Sequence, residues 1–101
     1  MTRVLSTQEF DTWERLLPRD YQDQVRKIID QLKVNFGVGK PLGYSYFREK
    51  RVGPYRMYYL VYEKQDTVLL VTMSDKKMQQ EVIDQIKNDL PKYYKLIENQ
   101  L

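Results

Sequence analysis

Apolar residues along this chain change their period near Pro41, where a helical first part gives way to a strand-rich centre. Val4 and Leu5 allow a short opening strand. Ser6 with Glu9 has the Ser-x-x-Glu spacing of a capping box, and Phe10, Trp13, Leu16 and Leu17 recur every three to four residues. The spacing therefore predicts a helix that breaks at Pro18. Tyr21, Val25, Ile28, Ile29, Leu32 and Phe36 share one face of a second helix, which Gly37 and Gly39 terminate. The two helices are expected to pair as an antiparallel hairpin.

After Pro41 the pattern alternates, with strands expected from about Tyr44 to Arg51, Tyr55 to Glu63 and Thr67 to Ser74. Gly53-Pro54 and Lys64-Gln65-Asp66 would join them as a meander. In the middle strand Met57, Tyr59 and Val61 occupy one face and Arg56, Tyr58, Leu60 and Tyr62 the other, so both faces are partly apolar and the strand should be central. Arg56 should then be partly surrounded by protein. Alternation places Arg48 and Lys50 on a common face and turns Arg51 the other way or into the turn. A third helix is expected from Asp75, whose carboxylate can cap it, through Met78, Val82, Ile83 and Ile86 to about Asn88. Pro91 then interrupts. Asp89 can cap a further turn or helix carrying Tyr94, Ile97 and Leu101 on one stripe, and the pattern leaves open whether this is a kink or a separate element.

The 101 residues suit one domain, 1–101, with a C-terminal helical extension over about 89–101. A composition of 42% hydrophobic and 31% charged residues is that of a globular α+β protein, and no apolar run approaches the roughly 18 residues that would cross a membrane. The opening residues turn polar too soon for a secretory signal, so the cytoplasm is the expected compartment. Cysteine is absent, which removes disulfides and thiolate chemistry. Histidine is absent too. A transition-metal site is therefore not expected, no other cofactor is implied, and the acids show no paired spacing of the kind a carboxylate hydrolase uses.

The net charge is only +3, so affinity for a polyanion depends on where the cations cluster. Between Lys40 and Arg56 they are Lys40, Arg48, Lys50, Arg51 and Arg56, against the single acid Glu49, and Lys76 and Lys77 follow. Aromatic residues interleave with them from Phe47 to Tyr59. A rigid sheet with both kinds of side chain can neutralise phosphates and stack bases, whereas the bland reading is a solvated strand pair over a tyrosine-rich core.

Several segments carry a family resemblance: Pro41-Leu42, Phe47-Arg48-Glu49-Lys50-Arg51, Tyr55-Arg56-Met57-Tyr58-Tyr59, Val68-Leu69-Leu70-Val71, and Asp75-Lys76-Lys77 with Gln79-Gln80. In this order and spacing the chain resembles the RelE/ParE toxins of type II toxin-antitoxin systems, the RelE-like branch in particular. The resemblance implies a β-α-α-β-β-β-α fold with a small, mainly antiparallel sheet and an N-terminal helical hairpin. It also implies a ribosome-dependent messenger RNA endoribonuclease that needs no metal and acts by attack of a ribose 2′-hydroxyl on the scissile phosphate. Arg56 matches the family's third-strand arginine and is expected to stabilise the phosphate. Lys50, Arg48 and Lys76 are the further catalytic candidates, and Arg51, Lys77, Tyr58 and Lys40 the candidates for binding RNA. Two positions depart from the pattern: Glu49 stands where a lysine is expected, and Val82 where a C-terminal tyrosine is expected. The implied partners are a cognate antitoxin, the ribosome and messenger RNA, with the toxin monomeric alone and oligomeric with its antitoxin. Other readings are a ParE-like toxin that inhibits gyrase and a non-catalytic interaction domain on the same fold.

Overall fold

The computed structural model describes residues 1–100. Its elements run β1 (Arg3–Ser6), α1 (Gln8–Leu16), α2 (Arg19–Val34), β2 (Lys40–Pro41), β3 (Phe47–Val52), β4 (Tyr55–Tyr62), β5 (Thr67–Asp75), α3 (Gln79–Asn88) and α4 (Leu90–Gln100). The strands form one sheet in the order β1-β5-β4-β3-β2, in which only the β1–β5 pair is parallel. This is the expected α+β architecture with two additions. The two-residue strand β2 borders β3, and α4 is a helix separate from α3. Leu101, expected to extend the α4 stripe, lies outside the described residues.

Helix α1 is capped one residue later than the sequence pattern predicts. Thr7, not Ser6, accepts the hydrogen bond from the Phe10 N–H at 3.0 Å, while the Ser6 hydroxyl donates to Asp11. Thr7 wins because its hydroxyl also donates to the Val71 carbonyl at 2.6 Å, which fixes the helix start against β5. Helix α3 starts later than expected, at Gln79, with Met78 as its N-cap and no side-chain cap; the Asp75 carboxylate instead accepts from the Met78 N–H at 2.9 Å and fixes the turn before the helix. The segment from Tyr44 to Tyr46 is not strand. It turns back on itself through the Phe47 N–H to Tyr44 carbonyl bond, and β3 starts at Phe47.

The middle strand β4 is central, as its two apolar faces imply. On one side Met57, Tyr59 and Val61 join Phe10, Val25, Ile28 and Leu32 from α1 and α2. On the other, Tyr58 and Leu60 pack with Phe47, Leu69, Ile83, Ile86 and Ile97 under α3 and α4. A bulge in the β4–β5 ladder reconciles the two patterns. Tyr58 pairs with Thr72 and Tyr59 with Leu70, so Val71 is the extra residue, and Leu70 and Met73 reach the same core three positions apart.

The β3–β4 connection sets the register beside Arg56. Val52 pairs with Tyr55, leaving Gly53 and Pro54 as a two-residue turn in which Gly53 has φ +57°. A Cβ on Gly53 would collide with the Tyr21 ring. That ring in turn packs edge-on against Tyr55 at 5.7 Å, and Tyr55 against Trp13 at 6.0 Å, which clasps the turn to the helical hairpin. Gly53→Ala combines backbone strain with this clash and should destabilise the fold by about 2 kcal/mol or more, read as a lowered urea midpoint. A midpoint equal to the wild type would show that the turn is not held as described.

Buried phenols add a pH dependence. Burial raises the pKa of Tyr58, Tyr59, Tyr62 and Tyr93 above the ordinary 10.0, so the folded chain keeps these protons longer than the unfolded chain does. The sign follows from linkage: their contribution is complete below pH 10 and is lost as the pH rises through the folded values. Denaturant midpoints should therefore be flat from neutrality to about pH 9 and fall above pH 10. A midpoint that held steady to pH 12 would contradict this account.

Candidate functional site

Register decides which cations meet. In the β3–β4 ladder Arg51 is directly opposite Arg56 and Glu49 is opposite Tyr58, while on the other side of β4 Ser74 is opposite Arg56. Alternation then places Glu49, Arg51, Arg56, Tyr58 and Ser74 on the α3/α4 face. Arg56 is only 9% exposed. Among the described residues its guanidinium has no ion-pair partner, the two ion pairs being Arg26–Glu14 and Lys33–Asp30 elsewhere. No side-chain nitrogen of the described residues is buried without a hydrogen-bond partner, so the Arg56 guanidinium reaches solvent at its tip, next to the like charge of Arg51 across the ladder, where an anion would relieve the repulsion.

Space for such an anion is present. A depression of about 520 Å³ opens between β2, β3, β4 and the start of α3, lined by Lys40, Lys50, Arg51 and Arg56 together with Val38, Glu49 and Gln79. Four cations against one carboxylate make it a local positive site on a chain whose overall charge is modest. A guanidinium fork can hold two non-bridging phosphate oxygens at once, and the strand position of Arg56 fixes where that fork stands. Glu49, 8% exposed, accepts from the Gln79 side-chain amide, whose nitrogen lies 3.0 Å from each carboxylate oxygen.

The sequence-based candidates separate in space. Lys40, Lys50 and Arg51 border the depression with Arg56. Lys76 and Lys77 are exposed in the turn after β5, at the same end of the sheet, because Asp75 pairs with Tyr55 next to Arg56. Arg48 and Lys50 do share a face, the one opposite Arg56; Lys50 still reaches the rim of the depression at the sheet end, whereas Arg48 does not line it. The Arg48 guanidinium is spent on the backbone, donating to the carbonyls of Gly39 at 3.1 Å, Ser45 at 2.9 Å and Gly37 at 3.2 Å. It holds the loop between α2 and β3 and is withdrawn as a catalytic candidate. Tyr58 is also corrected. Its ring has no exposed surface, so it cannot stack on a base without opening the core.

The Tyr58 hydroxyl lies 2.8 Å from Ser74 Oγ, and since Ser74 Oγ itself donates to the Asp75 carbonyl, Tyr58 is the donor of the pair. Burial pushes the Tyr58 phenol up, with the Ser74 hydrogen bond and the Arg56 charge acting against it and Glu49 and Asp75 with it. The sequence pattern does not single out Gln79 as a site residue, although its position five residues after Ser74, at the start of α3, brings it to the sheet end that carries Arg56. A larger concavity of about 790 Å³ lies toward the other end of β4, walled by Tyr46, Tyr62 and Tyr94. Its charged lining, Arg48, Lys64 and Glu63, does not gather into a cationic cluster.

A family model described as the ParE toxin of type II toxin-antitoxin systems matches residues 9–80, which spans α1 to the start of α3 and includes every residue around the depression. The chain belongs to this toxin family. Its fold is that of solved RelE toxins. The isolated Escherichia coli RelE toxin superposes with a TM-score of 0.67 at 14% identity, covering 85% of this chain and 99% of that one. The toxin in the intact E. coli RelBE toxin-antitoxin complex gives 0.65 at 15% identity, with 74% and 96% covered. The archaeal RelE-RelB complex from Pyrococcus horikoshii gives 0.61 at 19%, with 74% and 94% covered. At these identities the likeness is one of fold. Curated proteins yielded no sequence match.

The loop that presents Lys40 depends on one buried phenol. Tyr59 Oη donates to the Phe36 carbonyl at 2.8 Å and accepts from the Gly39 N–H at 2.9 Å, with the ring fully buried beside Arg48. Gly39 sits so close to the Glu49 carbonyl and the Tyr59 hydroxyl that a side chain there has no room. Tyr59→Phe strands both backbone groups and should cost about 1–3 kcal/mol in a denaturant melt. Amide exchange at Gly39 should accelerate in the variant; unchanged protection would show that the phenol does not hold this loop.

Proposed function

We propose that this toxin-family chain is an endoribonuclease that cuts messenger RNA on the ribosome and is restrained by a cognate antitoxin protein. The observation that supports this reading best is Arg56: a residue held in the sheet with no carboxylate partner for its guanidinium, facing Arg51 across the ladder and opening on a depression bordered by Lys40 and Lys50. Cleavage proceeds by attack of a ribose 2′-hydroxyl on the adjacent phosphorus, loss of the 5′-oxygen, and formation of a 2′,3′-cyclic phosphate and a 5′-hydroxyl. Arg56 neutralises the charge that builds on the non-bridging oxygens. Arg51, Lys40 and Lys50 hold the RNA backbone in line, and the Lys76-Lys77 turn supplies the proton for the departing oxygen. No step calls for a metal ion.

Solved complexes of the fold relatives with RelB antitoxins support an antitoxin as the regulatory partner. The toxin alone is then monomeric, and its substrate places it in the cytoplasm. A second reading, inhibition of DNA gyrase without RNA chemistry, is favoured by the family model being that of ParE and by Val82 replacing the expected tyrosine.

Adding the purified protein to a translation extract with a defined message distinguishes them. New 5′ ends should appear on ribosome-bound message, and Arg56→Ala should slow their formation on the order of 10²- to 10³-fold, the usual loss when one oxyanion-stabilising group is removed. Gyrase supercoiling should be unaffected. Intact message with blocked supercoiling would select the gyrase reading, and neither effect would leave an interaction domain.

A further inference from the structure

The depression is lined by one carboxylate, the only group of its lining suited to accept a proton on an oxygen. Lys40, Lys50, Arg51 and Arg56 carry only N–H donors in their charged forms, and the chain has no histidine. Tyr58 is fully buried with its hydroxyl proton already committed to Ser74. Glu49 remains. It lies on the Arg56 face, with Lys40 as its register partner from β2, Tyr58 from β4 and Arg51 two residues ahead on β3. From α3 the Gln79 amide nitrogen contacts both of its oxygens at 3.0 Å. An ionised carboxylate offers about four acceptor positions, so this contact orients the group without exhausting it.

We propose that Glu49 is the catalytic proton acceptor and Gln79 the positioning residue that holds it, an assignment that rests on the ribonuclease reading above. In the step, the 2′-hydroxyl gives its proton to a Glu49 oxygen as the 2′-oxygen lone pair forms the bond to phosphorus. The electron pair of the P–O5′ bond leaves with the 5′-oxygen, which takes a proton from a lysine ammonium of the Lys76-Lys77 turn. Glu49 then returns its proton to water. The position where the family pattern calls for a lysine thus becomes a base of opposite charge, and the surrounding cations keep the site attractive to phosphate. The competing structural account makes Glu49 a tie between β3 and α3 that merely offsets Arg51 and Arg56.

Cleavage of ribosome-bound message, measured by primer extension for the wild type, Glu49→Gln, Glu49→Asp and Gln79→Ala, separates the two accounts. Glu49→Gln should lower the rate on the order of 10²-fold or more. Its retention on ribosomes carrying a message with 2′-deoxyribose at the cut should equal or exceed the wild type. Glu49→Asp, which keeps a carboxylate, should be faster than Glu49→Gln and slower than the wild type. Gln79→Ala should lose on the order of tenfold in rate with its ribosome retention unchanged, since the base is present but less well aimed. A Glu49→Gln protein as fast as the wild type overturns the proposal, and so does one whose loss of rate is matched by its loss of ribosome retention. Should Glu49→Gln not fold, a Gln79→Ala rate equal to wild type together with a Glu49→Asp rate equal to wild type overturns it. A wild type that leaves the message intact removes the ribonuclease reading as well, whereas an active wild type with an active Glu49→Gln removes this inference alone.

Discussion

Everything at the basic end of this sheet follows from the register of one hairpin. With two residues between Val52 and Tyr55, Arg51 meets Arg56 and Glu49 meets Tyr58. A slip of one residue would carry Arg48 and Lys50 to that face and drive Glu49 and Arg51 against α2. The register is held from outside the sheet as well as within it. Gly53 adopts a left-handed conformation under the Tyr21 ring, and Trp13 and Tyr55 continue the aromatic contact back to α1. The helical hairpin is therefore the clamp that determines which charges share the depression.

Such a cluster is costly to the fold, and the rest of the structure offsets it. Arg51 and Arg56 repel across the ladder, and the Arg56 guanidinium has no carboxylate of its own among the described residues. Strands β4 and β5, buried on both faces from Met57 to Val61 and from Thr67 to Ser74, supply the apolar burial that keeps this end in place. An anion bound there meets donors already positioned, so little reorganisation is needed on binding. Arg48 shows the contrasting use of the same residue type. Its guanidinium satisfies three backbone carbonyls and is thereby removed from chemistry.

Much of this is legible in the sequence itself. The period-3.6 stripes located α1 and α2, and the two-sided apolar pattern of β4 marked it as central and placed Arg56 beside protein. What the one-dimensional pattern could not settle was pairing. Alternation correctly grouped Arg48 with Lys50, yet only the two-residue turn reveals that this face is the wrong one for Arg56. Tyr58 stands among the candidates for binding RNA, but α3 and α4 cover that face, and their docking is not written in the strand itself. The Ser6 cap failed for a similar reason. A distant carbonyl, that of Val71, decided between two adjacent hydroxyls.

The family fold leaves the target open, since toxins with different targets share it and identity to the solved RelE chains is below 20%. The distinction has to come from side chains. Val82 packs against the core under α3 and α4 and lines a separate cleft with Trp13 and Tyr93, so it brings no proton-transfer group to Arg56. Without histidine or that tyrosine, a cleaving enzyme must draw its acid and base from the depression and the adjoining lysine turn. A gyrase inhibitor would have no need to aim a carboxylate beside unpaired guanidinium groups. The Gln79 contact that fixes both oxygens of Glu49 is therefore the feature by which this site most resembles a place for chemistry rather than for binding alone.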